Sequence, residues 1–130
     1  MNPLYKKLGI KSDSEIVVLN CPQDYLDFFY DFPHSVIINE EITKNQIKFI
    51  HLFAQTRLEL NNLFRTAKPA LTRNGQLWIS WPKKSSLLDT ELNKFDILNH
   101  GLTNGLVDTK VVSINSDWSG LKFVYRLKYR

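Results

Sequence analysis

Residues Gly75–Ser86, GQLWISWPKKSS, decide how the rest of the chain is read. Leu77 to Trp81 is an apolar run with the length and composition of a buried strand, and it reads as a central one. Pro82 stops it, because proline has no N–H to give to a ladder. Lys83, Lys84, Ser85 and Ser86 follow at once. In open α/β sheets the carboxyl ends of the strands carry the site, so these four residues fall where a ligand is expected. Lysines bring charge and hydroxyls bring directed donors. A helix expected to start near Thr90 adds free backbone N–H groups. The expectation is an anion-binding loop for an anionic small molecule or an acidic segment of a protein partner; the plain alternative is a solvated loop. Trp78 and Trp81 are three residues apart, so a regular strand points them to opposite faces. Trp81, last before the proline, is the one expected to reach the surface and serve the site.

Outward from this stretch, strands and helices alternate. Glu15–Asn20 reads as a first strand, Ser35–Asn39 as a second and Ile47–Ala54 as a third, with His51 inside it. The first is a continuous rather than alternating apolar run, which implies burial on both faces and a parallel sheet. Pro22 can take the first position of a short helix whose apolar surface is Tyr25, Leu26, Phe28 and Phe29. Thr56 and Glu59 have capping-box spacing ahead of a helical stripe of Leu60, Leu63, Phe64 and Ala67. The chain is expected to leave that helix from Lys68 and to turn at Asn74–Gly75. The helix from Thr90 presents Leu88, Leu92 and Phe95 on one side and ends at Asn104 and a left-handed Gly105. Val107–Asn115 is a fifth strand. After the turn Asn115–Ser116–Asp117, Leu121, Phe123, Tyr125, Leu127 and Tyr129 alternate with polar residues up to Arg130, which makes a terminal hairpin. The fold expected is one α/β domain over residues 1–130, a Rossmann-like, mostly parallel sheet of about six strands ending in an antiparallel hairpin.

Composition excludes several classes. The chain has 130 residues, 43% hydrophobic and 23% charged, which is a globular balance. Its formal net charge of +4 permits weak attraction of anions without marking a nucleic-acid binder. The single cysteine, Cys21, excludes an intrachain disulfide and a cysteine-rich zinc site. The start MNPLYKKLGIKSDSE lacks the apolar core of a signal peptide, and no window approaches about 18 apolar residues. A cytoplasmic protein with no membrane partner is expected. His34, His51 and His100 are scattered and make no metal signature. Cys21 follows a strand at a helix start, a place that can lower a thiol pKa, but a buried structural cysteine is the simpler reading. Lys122, Arg126, Lys128 and Arg130 form a basic strip on the last strand. Phe123 and Tyr125 face the other way, so nucleic acid is not the expected partner.

The element order resembles a shortened class I, adenosylmethionine-dependent methyltransferase fold, in which the last strand of a terminal hairpin inserts beside the central strands. Leu71–Ser80, LTRNGQLWIS, resembles the segment leading into the fifth strand of those enzymes, and one helix–strand unit is missing between Asn39 and Ile47. Leu8–Lys11, Val17–Pro22, Ile79–Ser86, Gly105–Val111 and Trp118–Lys122 also resemble a family of small, uncharacterised bacterial proteins; WPKKSS and WSGLK are the most specific parts. The methyltransferase resemblance implies a glycine-rich turn after the first strand, which receives the cofactor, and an acid after the second, which holds the ribose. The turn here is Asn20, Cys21, Pro22, with no glycine, and it is read as degenerate; Glu40 or Glu41 can supply the acid. Ala54–Gln55–Thr56–Arg57 stands where catalytic families carry Asp/Asn-Pro-Pro-aromatic. The expectation is therefore a non-enzymatic binding or regulatory protein without a cofactor, catalytic residue or metal. Its expected ligand-binding residues are Trp81, Lys83, Lys84, Ser85 and Ser86. The alternatives are a divergent adenosylmethionine-dependent methyltransferase and a nucleic-acid-associated accessory protein.

Overall fold

A computed structural model describes residues 2–130. Its strands are β1 Glu15–Leu19, β2 Ile37–Asn39, β3 Ile47–Phe53, β4 Leu71–Pro82, β5 Leu106–Ser113 and β6 Trp118–Tyr125. Its helices are α1 Leu4–Leu8, α2 Arg57–Ala70 and α3 Lys94–Thr103. The six strands form one sheet in the order β2-β1-β3-β4-β6-β5. β2, β1, β3 and β4 pair in parallel, and only β6 runs against its neighbours. β6 lies between β4 and β5, as the expected terminal hairpin requires. No helix joins β2 to β3; residues 40–46 make that connection.

The sheet has a core on each face. On one face Leu60, Phe64 and Ala67 of α2 and Ile97 of α3 pack with Val17, Leu52, Leu77, Ile79, Trp81 and Phe123. On the other, Leu8, Ile10 and Tyr25 pack with Ile16, Val18, Phe53, Trp78 and Trp118. Short elements suffice there because large aromatic side chains fill the layer. Trp78 is fully buried, and its indole donates to Leu8 O at 2.9 Å and to Gln76 Oε1 at 3.0 Å, so its one polar atom is satisfied.

The capping box expected at Thr56 is present. Thr56 Oγ1 accepts from Glu59 N, and the Glu59 carboxylate accepts from Thr56 N. Such a cap contributes about 1 kcal/mol. Asn104 and Gly105 close α3 as expected, with Gly105 at φ 92°.

Several boundaries differ from the sequence reading. The segment after Pro22 is a single 3₁₀ turn, Tyr25–Phe28, rather than a helix. α2 runs on through Pro69 to Ala70 and passes directly into β4, which starts at Leu71. The Asn74–Gly75 turn is instead an irregularity inside β4: Ile47 pairs with Leu71 and Phe49 with Gln76, so residues 72–75 fall out of register. α3 starts at Lys94, not Thr90. Its cap is Asn93 with Asp96, and Phe95 points outward, 80% exposed. β6 ends at Tyr125, because its partner β5 begins at Leu106 opposite that residue; Leu127–Tyr129 is a 3₁₀ turn. The basic strip expected along the last strand does not form, since only Lys122 of the four lies within β6.

Candidate functional site

β1 leads to β2 on one side while β3 lies on its other side, so the carboxyl ends of β1 and β3 mark a switch point where ligands of such sheets bind. Asn20 occupies it. Its φ of 55° is left-handed, a region glycine fills freely and asparagine tolerates better than most residues. From there Asn20 Nδ2 donates to Phe53 O at 2.8 Å and to Glu59 Oε2 at 3.3 Å. The other Glu59 oxygen accepts from Gln55 N at 2.8 Å and Thr56 N at 3.3 Å. The crevice between β1 and β3 is thus crossed by the chain's own hydrogen bonds. A carboxylate already occupies the positive end of α2.

Beside this bridge, over the ends of β1 and β2, lies an open cleft of about 440 Å³. Cys21, Pro22, Tyr25, Leu26 and Ile38 line it together with the carboxylates of Asp24, Asp27 and Glu40. Partial burial pushes the Cys21 thiol up to about 11, and the nearby Glu40 and Asp24 carboxylates act in the same direction. Both effects favour the protonated thiol of Cys21 at neutral pH.

The wall of the cleft is braced from within. Tyr25 Oη lies 3.0 Å from His51 Nδ1, and His51 Nε2 lies 2.8 Å from Ser80 Oγ. All three side chains are buried, and both ring nitrogens of His51 have a partner. Burial alone holds His51 down at about 3, so the ring is neutral at physiological pH. Burial chiefly, then Cys21, raises the Tyr25 phenol. The chain links the 3₁₀ turn, β3 and β4, which are far apart in sequence.

The β4 exit stands at the same carboxyl edge, but away from the cleft, whose lining includes none of Lys83–Ser86. The loop is folded onto the β5–β6 turn. Lys83 N donates to Asp117 O at 2.7 Å, Lys83 Nζ to Ser113 Oγ at 2.5 Å, and Ser86 Oγ to Asp117 Oδ1 at 2.8 Å. Lys84 and Ser85 are exposed. The expected contribution of a nearby helix amino end is absent, because α3 starts later and carries its own Asn93–Asp96 cap. Trp81 does not reach the surface. It is 6% exposed and packs in the α2–α3 core, so its ring offers no stacking face. Asn20, Cys21 and Pro22 thus meet residues of β2, β3 and α2, while Lys83–Ser86 meet Asp117. Sequence reasoning missed the Asn20–Glu59 bridge and the Tyr25–His51–Ser80 chain, whose members have no recognisable local spacing.

No protein-family model and no curated protein matches the sequence. Solved structures do match in shape. A SAM-dependent methyltransferase from Aquifex aeolicus superposes with a TM-score of 0.62 over 92% of this chain and 86% of that one, at 10% identity. The DhpI–SAH complex gives 0.61 over 91% and 78%, at 7% identity. A TehB-like SAM-dependent methyltransferase from Corynebacterium glutamicum gives 0.51 over 95% and 85%, at 12% identity. At such identities the likeness is one of fold. No helix is long and apolar enough to cross a membrane among the described residues. The chain therefore has the α/β fold of the class I methyltransferases, with no helix and strand between β2 and β3.

Proposed function

We propose that this domain binds an adenosine-type nucleoside in the cleft between Cys21 and Glu40 and transfers no methyl group. The observation that carries the reading is the contrast between two adjacent spaces at the carboxyl edge. The cleft over β1 and β2 is open, about 440 Å³, whereas Asn20 crosses the crevice between β1 and β3. Glu40, just past β2, is where the methyltransferase resemblance expects an acid to accept ribose hydroxyls. Pro22, Leu26 and Ile38 give apolar surface for a base. Asp24, Asp27 and Glu40 repel phosphate, which favours a nucleoside over a nucleotide. The Lys83–Ser86 loop is no part of this reading, because Lys83 and Ser86 are already engaged. The likeness to SAM-dependent methyltransferases, and to a structure solved with SAH, supports the ligand class.

A divergent adenosylmethionine-dependent methyltransferase is the second reading, and that same likeness favours it. Calorimetric titration with adenosine, adenosylhomocysteine and adenosylmethionine separates the two. On the first reading all three bind alike, since the bridged crevice gives the amino-acid tail no added contact. Glu40→Gln then weakens each by roughly tenfold. Adenosylmethionine binding more than roughly 100-fold tighter than adenosine, about 2.7 kcal/mol, would mean that the crevice opens and the enzyme reading stands. Failure of all three to bind overturns both.

A further inference from the structure

The edge of the sheet opposite the cleft gathers Lys68, Arg73, Arg126, Lys128 and Arg130 from two separate stretches of chain, the α2–β4 passage and the residues after β6. Tyr125, at the end of β6, is their centre. Arg73 Cζ lies 4.9 Å from its ring centroid and Lys68 Nζ lies 5.9 Å away. Arg130 Nε donates to Tyr125 O at 2.7 Å, and Arg73 Nη1 to Tyr129 O at 3.5 Å. The 3₁₀ turn folds the chain back so that Lys128 Nζ stands 5.0 Å from the Tyr129 ring centroid. Arg126 Nη2 donates to Leu102 O at 3.4 Å, while its Nε is buried without a partner.

The ends of two helices explain part of this. α2 and α3 finish at this edge, and cations are favoured at a helix carboxyl end, which accounts for Lys68 and Arg126. It does not account for Arg73, Lys128 and Arg130, which are exposed. Among the described residues the ion pairs are Lys44–Glu15 and Arg57–Asp96, and none of the five cations belongs to either. They bond to carbonyls and lie over rings. Like charges held together without carboxylates repel one another, and a polyanion reverses that repulsion.

We infer that this edge is a binding surface for single-stranded nucleic acid. Arginines supply forked donors that match phosphate oxygens. Tyr129, 46% exposed, offers a ring on which an unpaired base can stack. A duplex hides its base faces and has no use for that ring. An anionic lipid surface shares the phosphate chemistry and would instead use Leu127, which is 78% exposed.

The test is fluorescence anisotropy with a labelled oligothymidylate of about 15 nucleotides across a potassium chloride series. Five phosphate contacts predict a log–log salt slope near roughly −3.5, hence about 100-fold weaker binding at 200 mM than at 50 mM. Arg73→Ala with Arg130→Ala lowers affinity by at least tenfold and flattens the slope by about 1.4. Tyr129→Ala lowers affinity by roughly tenfold without changing the slope, because it removes stacking and no charge. Lys128→Glu, at an exposed position, gives an independent variant should the arginine pair perturb folding, with the same loss expected. No binding at 50 mM salt, variants that bind as the parent does, or capture by phosphatidylserine vesicles but not by the oligonucleotide would each overturn the inference.

Discussion

The Tyr25–His51–Ser80 chain makes a prediction whose size can be worked out. His51→Leu replaces the imidazole with an apolar group of similar bulk. Packing is then roughly preserved, but Tyr25 Oη and Ser80 Oγ lose their partners at 3.0 and 2.8 Å in a region with no access to water. A buried polar group left unpaired costs about 1–3 kcal/mol, so the single change should remove roughly 2–5 kcal/mol. The triple variant Tyr25→Phe, His51→Leu, Ser80→Ala removes all three polar ends. Replacing both ends of a buried bond by apolar groups of the same shape is nearly neutral, so the triple should lie within about 1–2 kcal/mol of the parent. Urea denaturation of the parent, the single and the triple variant reads both numbers, provided the slopes agree. The reasoning fails if the single variant costs less than about 1 kcal/mol, or if the triple is no more stable than the single.

The same chain predicts acid sensitivity. His51 titrates near 6.5 unfolded and is held at about 3 in the fold, so its contribution is fully present above 6.5 and is lost as pH falls from there towards 3. The whole gap corresponds to roughly 5 kcal/mol, of which roughly 3 is lost by pH 4.5. The triple variant lacks the histidine, and its stability should fall less over that range; equal losses in the two proteins refute the assignment. Gly101→Ala puts a Cβ 2.0 Å from Phe123 Cε1 and 2.5 Å from Cδ1, on a ring that is fully buried. Alanine gains about 1 kcal/mol in helix propensity, but overpacking costs about 1–3 or more, so a melting temperature lower by a few degrees is expected. An unchanged or higher value would mean that α3 stands further from the sheet.

Much of the sheet is legible in the sequence because its evidence is local. Ile16–Leu19, Phe49–Phe53 and Leu77–Trp81 are apolar runs that only a covered sheet can bury, and Thr56 with Glu59 marks a helix start by spacing alone. The misplaced boundaries arise where local signals compete. Thr90 looks like a helix cap because it is one of a kind: its Oγ1 accepts from Leu92 N at 2.9 Å, closing a turn before Asn93 starts the helix. In the helix that starts at Lys94, Ile97 and Gly101 face inward and Phe95 outward. Alternation through Tyr129 overstates β6, because periodicity does not reveal where a partner strand begins. Nothing local foretells the closed switch point, which needs Asn20 beside Phe53 and Glu59, sequence distances of 33 and 39. The basic edge is legible only in part: Arg126, Lys128 and Arg130 stand out in the last stretch of sequence, whereas Lys68 and Arg73 come from the α2–β4 passage and only the fold brings them alongside.

The position of β6 has a consequence for how the molecule comes into being. The strand latest in sequence lies between two that precede it, pairing with β4 on one side and β5 on the other. Until residues 118–125 are available, β4 has an empty flank and β5 has no place in the sheet. A growing chain can assemble β2, β1, β3 and β4, but it holds Trp78 and Ile79 beside an open edge while it waits. Completion is then a single late step in which β5 and β6 join the free edge of β4 together, rather than the addition of one more rim strand. Cutting the chain before Trp118 would therefore leave β4 as a bare edge and β5 without a partner, whereas shortening it after Tyr125 would spare every rung of the ladder.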